Sequence, residues 1–311
     1  MFKEAKVMFI YTETSLHCGS GTSLGVIDLP IQREKYTDYP VCQASGIKGV
    51  IREWFETDDA DKNDGRIKYV FGPDFGRGDS EAFAGAATFT DARLLLFPVR
   101  SLNGVFAYTT SRFALSRLKR DLEMAGVKNI KWNIPPDTGD NVLGVSGSKI
   151  SDKNNKVVLE EYTFNFRSDN NVEAISEWIA DNAIPKGNEY NFWREKAKTD
   201  IVVLPDNAFR DFVKLSTEVQ ARIRINNETK TVDKGALFYE EALPSDSLLY
   251  SVLMAHDPAC DTDKRPPNLK THADVMTLLS KLNGKHIQFG GDATIGKGIA
   301  NVNFLNGVKN D

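Results

Sequence analysis

Cysteine and histidine are scarce in this chain, three and four among 311 residues. The cysteines (Cys18, Cys42, Cys260) are odd in number and scattered, which argues for reduced thiols in a cytosol. No Cys-x-x-Cys pair or histidine-rich cluster marks a zinc site. No apolar run reaches the roughly 18 residues that a membrane span needs. The opening Met1-Phe2-Lys3-Glu4-Ala5-Lys6 has no signal-peptide architecture. Basic charge is not in excess either: the formal net charge is -4, so any nucleic-acid face must be local. Tandem repeats and low-complexity tracts are missing. Gly290 to Gly298 sets a lysine among glycines but lacks the Gly-x-x-x-x-Gly-Lys-Ser/Thr order, which excludes a P-loop NTPase.

What is present is ordinary globular composition, 41% hydrophobic and 26% charged, enough for one large domain or two smaller ones. Charge is segregated. Arg93, Arg100, Arg112, Arg117, Lys119, Arg120, Lys128 and Lys131 crowd one stretch, while Glu53 to Asp64 is acidic. The basic stretch reads either as a phosphate-binding face or as the wet side of a helix.

The chemistry gathers at His17 to Arg33. Gly19, Gly21 and Gly25 permit tight turns or close approach to a ligand. Asp28 is a single carboxylate, Pro30 fixes the chain after it, and Arg33 offers a planar donor fork suited to phosphate. This stretch is either a loop that holds a phosphodiester or a surface loop with a solvated aspartate. Ser45 is a good N-cap for a helix to about Phe55, with Ile47, Val50, Ile51 and Trp54 on one face. Lys48 and Arg52, four apart, then share a face, as two phosphate contacts or as a solvated edge. At the other end, the backbone amides of Gly290, Gly291 and their successors can form an anion nest assisted by Lys297, or simply a structural turn.

Between these points Val7 to Thr12 reads as a buried strand and Ala87 to Ser101 as another. Phe71 to Gly78 is turn-rich. Thr110-Ser111 caps a helix from about Arg112 to Ala125, ended by Gly126. Its apolar side is Phe113, Leu115, Leu118, Leu122 and Met124, so its arginines and lysines should face out. Lys128 to Asn155 looks like an extended loop, and Asn171 to Ala183 is helical. Tyr190, Phe192 and Trp193 beside Arg194, Lys196 and Lys198 are either a base-stacking patch or core. Glu218 to Ile225 alternates with period two and pairs with Gly235 to Leu243 as a hairpin whose polar side carries Arg222 and Arg224. Ser247 to His256 and Lys285 to Phe289 are strands, and His272 to Leu282 is a helix. The order fits an α+β class, a ferredoxin-like βαββαβ core with insertions.

The run Tyr39-Pro40-Val41-Cys42-Gln43-Ala44-Ser45-Gly46-Ile47-Lys48-Gly49-Val50-Ile51-Arg52, with Gly25 to Glu34 ahead of it, resembles RAMP-superfamily CRISPR proteins. Within them it is similar to the backbone subunit of the type III-B (Cmr) effector. Asp91 to Leu95 with Pro98 to Ser101, Gly235 to Pro244, and Gly290 to Gly298 continue the likeness in family order. The resemblance implies one RAMP domain over 1–311 with an RRM-like core, an insertion around 128–215, and a protruding thumb hairpin around 216–244. It implies a cytoplasmic location, guide RNA, target RNA, head-to-tail copies of the chain and other Cmr subunits as partners, and no membrane. It aligns Asp28 with the catalytic aspartate and His17 and Glu240 with residues near it, with Glu240 able to come from a neighbouring copy. Arg33, Ser45, Lys48, Arg52, Gly290, Gly291 and Lys297 become RNA contacts.

RNA carries its own nucleophile, the 2′-hydroxyl, so a protein need only align it and stabilise charge at the phosphate. An aspartate with the usual pKa of about 3.9 is a weak base at neutral pH. Asp28 is therefore expected to bind a divalent metal (Mg²⁺ or Mn²⁺) or to position substrate. The products would be a 2′,3′-cyclic phosphate and a 5′-hydroxyl. On its own residue type, His17 has a structural place. The rival readings are a non-catalytic RNA scaffold, a guide-processing endoribonuclease, and a small-molecule enzyme on the same core.

Overall fold

Strand β1 (Glu4–Thr12) is buried along almost its whole length, as a β-branched and aromatic run at the centre of a sheet should be. The computed structural model describes residues 2–57, 65–73, 83–226, 228–232, 237–261, 263 and 265–309. Part of the acidic stretch, most of Phe71 to Gly78, and Gly235-Ala236 lie outside the described residues. After β1 come β2 (Val41–Cys42), α1 (Ala44–Thr57), α2 (Ile67–Phe71), β3 (Ala87–Phe89), β4 (Ala92–Arg100), β5 (Phe106–Ser111) and α3 (Arg112–Met124). The middle of the chain forms β6 (Asn141–Gly144), β7 (Lys156–Leu159), β8 (Tyr162–Ser168), α4 (Asn170–Asn182), α5 (Asn191–Thr199), β9 (Ile201–Leu204) and α6 (Asp206–Leu215). The last part gives β10 (Glu218–Arg222), β11 (Phe238–Ala242), β12 (Leu248–Ala255), α7 (His272–Leu279), β13 (Lys285–Gln288) and β14 (Ile299–Lys309).

One large mixed sheet runs β13-β14-β1-β12-β4-β5-β9-β6-β8-β7, with β2 on β4 and β3 on β12. Alternate residues of β1 serve two cores. Met8 and Ile10 face Ile47, Ile51 and Phe55 of α1 and Val275 and Leu279 of α7. Val7, Phe9 and Tyr11 face Leu115, Leu118 and Leu122 of α3 and Ile175 and Ile179 of α4. Residues 128–215 extend this same sheet: β9 pairs in parallel with β5, and β6 pairs with β9. The β10–β11 hairpin is a separate antiparallel ribbon with Gln220 opposite Glu240. Among the described residues no helix is long and apolar enough to cross a membrane.

Three expectations change. Ser45 lies inside α1, not at its cap: Gly46 and Ile47 already bond to the Gln43 carbonyl, and Asp91 Oδ1 accepts the Ala44 amide at 2.8 Å. A carboxylate brought in from the sheet thus does the capping. Helix α3 does begin after Ser111, whose Oγ accepts the Ala114 amide at 3.2 Å. Its basic side chains do not all face out, however. Arg117 is buried in an ion pair with Glu34, Arg93 holds Asp121 at 2.6 Å, and Lys119 donates to the Trp132 carbonyl at 3.1 Å. Much of the segregated basic charge is therefore neutralised inside the protein, while Met124 is left exposed.

The third change concerns the thiols expected to be reduced. Cys18 and Cys42 form a disulfide, and Cys260 is free. They meet because the bridges Gly19–Ile31 and Arg33–Pro40 fold the chain back on itself. The bond closes a loop spanning a sequence separation of 24, so its reduction should cost about 3 kcal/mol. Denaturant midpoints measured with and without dithiothreitol, and for a Cys18→Ser/Cys42→Ser variant, check this; equal midpoints would show that the link contributes nothing.

Candidate active site

The glycine-rich stretch begins where the chain leaves β1. Leu16 exchanges both backbone hydrogen bonds with Leu243 at 2.8 Å each, so the segment runs alongside the end of β11. The Gln32 amide donates to the Cys18 carbonyl (2.7 Å), Ser20 to Pro30 (3.0 Å) and Ser23 to Asp28 (2.8 Å), which closes the loop on itself. Leu24 and Val26 at its tip are fully exposed.

Asp28 stands at the base of this loop. Its amide donates to the Tyr239 carbonyl at 3.1 Å, and its Oδ2 accepts the Tyr239 amide at 2.7 Å. The next residue, Leu29, bridges Glu240, and the Glu241 amide donates to the Leu29 carbonyl at 3.0 Å. One backbone bond of its own, one made by Leu29 and one carboxylate bond thus fix Asp28 to the start of β11. Its other oxygen, Oδ1, accepts no hydrogen bond from the described residues. Half-exposed, it points chemistry toward whatever rests on the loop.

His17 is 9% exposed and sits behind the loop. Its Nδ1 lies 2.6 Å from the Glu241 carbonyl. A carbonyl can only accept, so Nδ1 carries a proton and Nε2 is the remaining ring nitrogen. Nε2 faces Gly19 so closely that a Cβ there would lie 2.6 Å away. Glycine at 19 is what lets the loop lie on the imidazole. Glu240 alternates inward from Tyr239 and is 1% exposed, with Oε1 3.6 Å from His17 Nδ1. Arg222, read in the sequence as the polar side of the hairpin, turns in and brings Nε within 2.5 Å of Glu240 Oε2. Its Nη1 donates to Asp292 Oδ1 at 3.2 Å. Burial, then the hydrogen bond and charge of Asp292, push the Glu240 carboxyl above the usual range. Asp292 is held low by the hydrogen bond from Glu240 and by the charges of Arg222 and His17.

His17, Asp28 and Glu240 therefore meet at one junction, the start of β11, although Asp28 shares no hydrogen bond or ion pair with the other two among the described residues. Glu240, which the resemblance allowed a neighbouring copy to supply, lies beside His17 of its own chain. Gly290 and Gly291 close the other side of His17. The Gly291 amide donates to the His17 carbonyl at 2.9 Å, and a Cβ at Gly290 would strike that same oxygen. Lys297 is 5% exposed and its Nζ has no hydrogen-bond partner among the described residues.

The remaining basic positions are placed differently from one another. Arg33 turns inward: Nη1 donates to the Asp38 (2.8 Å) and Val213 (2.9 Å) carbonyls and Nη2 to Glu241. Ser45 is exposed on the first turn of α1. Lys48, half-buried, forms no hydrogen bond or ion pair with the described residues, and burial together with the charge of Arg52 lowers its pKa. Arg52 donates to Glu56 (2.8 Å) and to the Gly72 carbonyl (3.1 Å). The aromatic and basic cluster divides: Tyr190 belongs to the core and Lys196 is buried against Asp200, whereas Phe192 is exposed. Sequence reasoning passed over Asp292 and Glu241. A charged residue directly after Gly290-Gly291 was the one local sign of Asp292.

Among the described residues no group of three His, Cys, Asp or Glu side chains is arranged to hold a metal ion. A single open carboxylate oxygen fits an ion such as Mg²⁺, which keeps several waters and takes the rest of its ligands from substrate phosphate.

The RAMP superfamily model matches residues 9–301. The CRISPR system Cmr endoribonuclease Cmr4 of Pyrococcus furiosus is 42% identical over 306 residues, covering 96% of this chain and 95% of the relative. A crystal structure of oligomeric Cmr4 from Pyrococcus furiosus superposes with a TM-score of 0.74 at 35% identity, covering 98% of this chain and 100% of that one. A chain in the cryo-EM structure of the type III-B Cmr-beta complex bound to cognate target RNA gives 0.72 at 25% identity, covering 97% and 98%.

Proposed function

Because this chain belongs to the RAMP superfamily, and within it to the Cmr4 proteins of type III-B CRISPR complexes, we propose that it binds guide RNA and cuts the paired target RNA at regular intervals. The observation that carries the reading is Asp28, anchored through Oδ2 and open at Oδ1 beneath an exposed loop. A target strand lying on that loop would present its phosphodiester to Oδ1. The 2′-hydroxyl of the target is the nucleophile, so Asp28 acts by placing the phosphate and fixing the line of attack. Mg²⁺ or Mn²⁺, when bound at Asp28, would neutralise charge developing on the phosphate. His17 and Glu240, both buried, act from behind by fixing the shape of the loop.

The strand order β14-β1-β12-β4, with α1 following β1 and α7 following β12, supports a ferredoxin-like core. The free-standing β10–β11 ribbon supports a thumb. Val219, Ile223, Ile225 and Leu237 are exposed along it, an apolar surface suited to the next copy of the chain. A head-to-tail contact of that kind generates an open helical filament and repeats the site along the guide. Lys48, only half-buried and with no hydrogen bond or ion pair to the described residues, suits a guide phosphate. The partners are then guide RNA, target RNA, further copies and other Cmr subunits, in the cytoplasm.

The test is an end-labelled complementary RNA incubated with the assembled, guide-loaded complex, with and without EDTA. A ladder of evenly spaced products ending in 2′,3′-cyclic phosphate is expected, falling by about a hundredfold on chelation. One cut, or irregular cuts, would sink the filament reading. An undiminished ladder in EDTA would remove the metal and leave alignment of the 2′-hydroxyl by protein groups alone.

A further inference from the structure

We infer that Asp292 is a positioning residue of the cutting site: it holds the Arg222 guanidinium that reaches Glu240, and so keeps that carboxyl against His17. The inference rests on the cutting function proposed above. It starts from how Asp292 is delivered. The loop after β13 is tied to the histidine itself through the Gly291 amide on the His17 carbonyl. Asp292 follows with φ 62°, a left-handed conformation in which Asp and Asn are the tolerated side chains. Its carbonyl accepts the Ile295 amide at 3.1 Å and the Lys297 amide at 3.3 Å, so the turn is closed and its side chain is aimed.

The aim is at Arg222, which also reaches Glu240. Two carboxyl groups and one guanidinium meet there, with Arg222 bridging Glu240 Oε2 and Asp292 Oδ1. Glu240 is almost wholly buried and Asp292 partly exposed, and a buried carboxyl with a second carboxylate near it resists ionisation. The Arg222 guanidinium offsets one of the two negative charges. The groups that face Glu240 are Arg222 from β10, His17 from the segment after β1, and Asp292 from the loop after β13. Glu241, its neighbour on β11, turns to the other side toward Arg33. Lys297, buried in the Asp292 loop, bonds to no acceptor among the described residues through Nζ. The consequence falls on His17, whose Nδ1 lies between the Glu241 carbonyl and Glu240 Oε1 and whose Nε2 supports Gly19. Asp292 thus sets the orientation of the ring on which the cutting loop rests, without touching RNA.

Asp292→Asn isolates the charge, because asparagine accepts the same left-handed backbone. It keeps a carbonyl acceptor but removes the like charge that helps to hold the Glu240 carboxyl above its usual range. The expected result in the guide-loaded complex is a cutting rate lower by about tenfold to a hundredfold, the scale of a displaced reactive group. Target-RNA affinity should be unchanged. In the full-length chain labelled with ¹³C-glutamate, and with Glu240→Gln to assign the signal, Glu240 should titrate at lower pH in Asp292→Asn than in wild type. An Asp292→Asn chain with wild-type rate and wild-type Glu240 titration overturns the inference. So does a rate loss with Glu240 titration unmoved, which would mark Asp292 as a turn residue only. If wild-type complex cuts nothing, the proposed function has failed instead, and the Glu240 titration still decides whether Asp292 acts on that carboxyl.

Discussion

Guide-loaded complex assembled with Asp28→Asn should bind target RNA normally and cut it about a hundredfold to a thousandfold more slowly. The magnitude is that of removing one group placed on developing charge in a preorganised site. Asparagine is the same size, and its carbonyl oxygen can still accept the Tyr239 amide that Oδ2 accepts at 2.7 Å. The loop should therefore keep its place on β11, and stability should change by no more than about 1 kcal/mol. What is lost is the negative charge at Oδ1, and with it any hold on a divalent cation. Single-turnover cleavage beside a filter-binding measurement separates the two effects. Wild-type cutting rates in the variant would make Asp28 a loop-ordering residue and the chain a scaffold beside a nuclease located elsewhere.

Arg33→Met should unfold the protein more easily, by about 3–5 kcal/mol, the usual cost of leaving one member of a buried ion pair behind. Glu241 would be that member. Its side chain is 3% exposed, and besides Arg33 it accepts the Ile31 amide at 3.0 Å and the Thr217 hydroxyl at 2.7 Å. Arg33 also supplies donors to the carbonyls of Asp38 and Val213, so it ties the loop, β11 and the end of α6 together. Urea denaturation of the full chain gives the stability. The slope of RNA affinity against salt gives the alternative, because loss of a phosphate contact lowers that slope by about one. Unchanged stability with a lower slope would return Arg33 to the RNA surface.

These two residues show where the sequence could be read and where it could not. Local signals held: the β-branched run of β1, the Ser111 cap of α3, the helical spacing in α4, and the alternation that makes β10 pair with β11. Each is written within a dozen residues of itself. The partners of the site are far apart in the chain. Asp28 meets Tyr239, His17 meets Glu241, and Arg222 meets Asp292. No spacing rule reports such a pairing, so the inward turns of Arg33 and Arg117 and the bond between Cys18 and Cys42 were invisible to composition and periodicity. Family likeness brought Asp28, His17 and Glu240 together as a group, and it had nothing to offer on Arg222 or Asp292.

The sheet order has a consequence for how the molecule is made. β1 leaves the ribosome well before its two flanking partners, β12 and β14. β11 and the Asp292 loop, which complete the junction, are late as well. Pairings of such long range form slowly, because the chain between them must be closed before they contribute stability. A growing or prematurely ended chain would have the glycine loop and Asp28 but nothing to hold them in place. The junction would then take shape only once β11 and the loop after β13 have been synthesised.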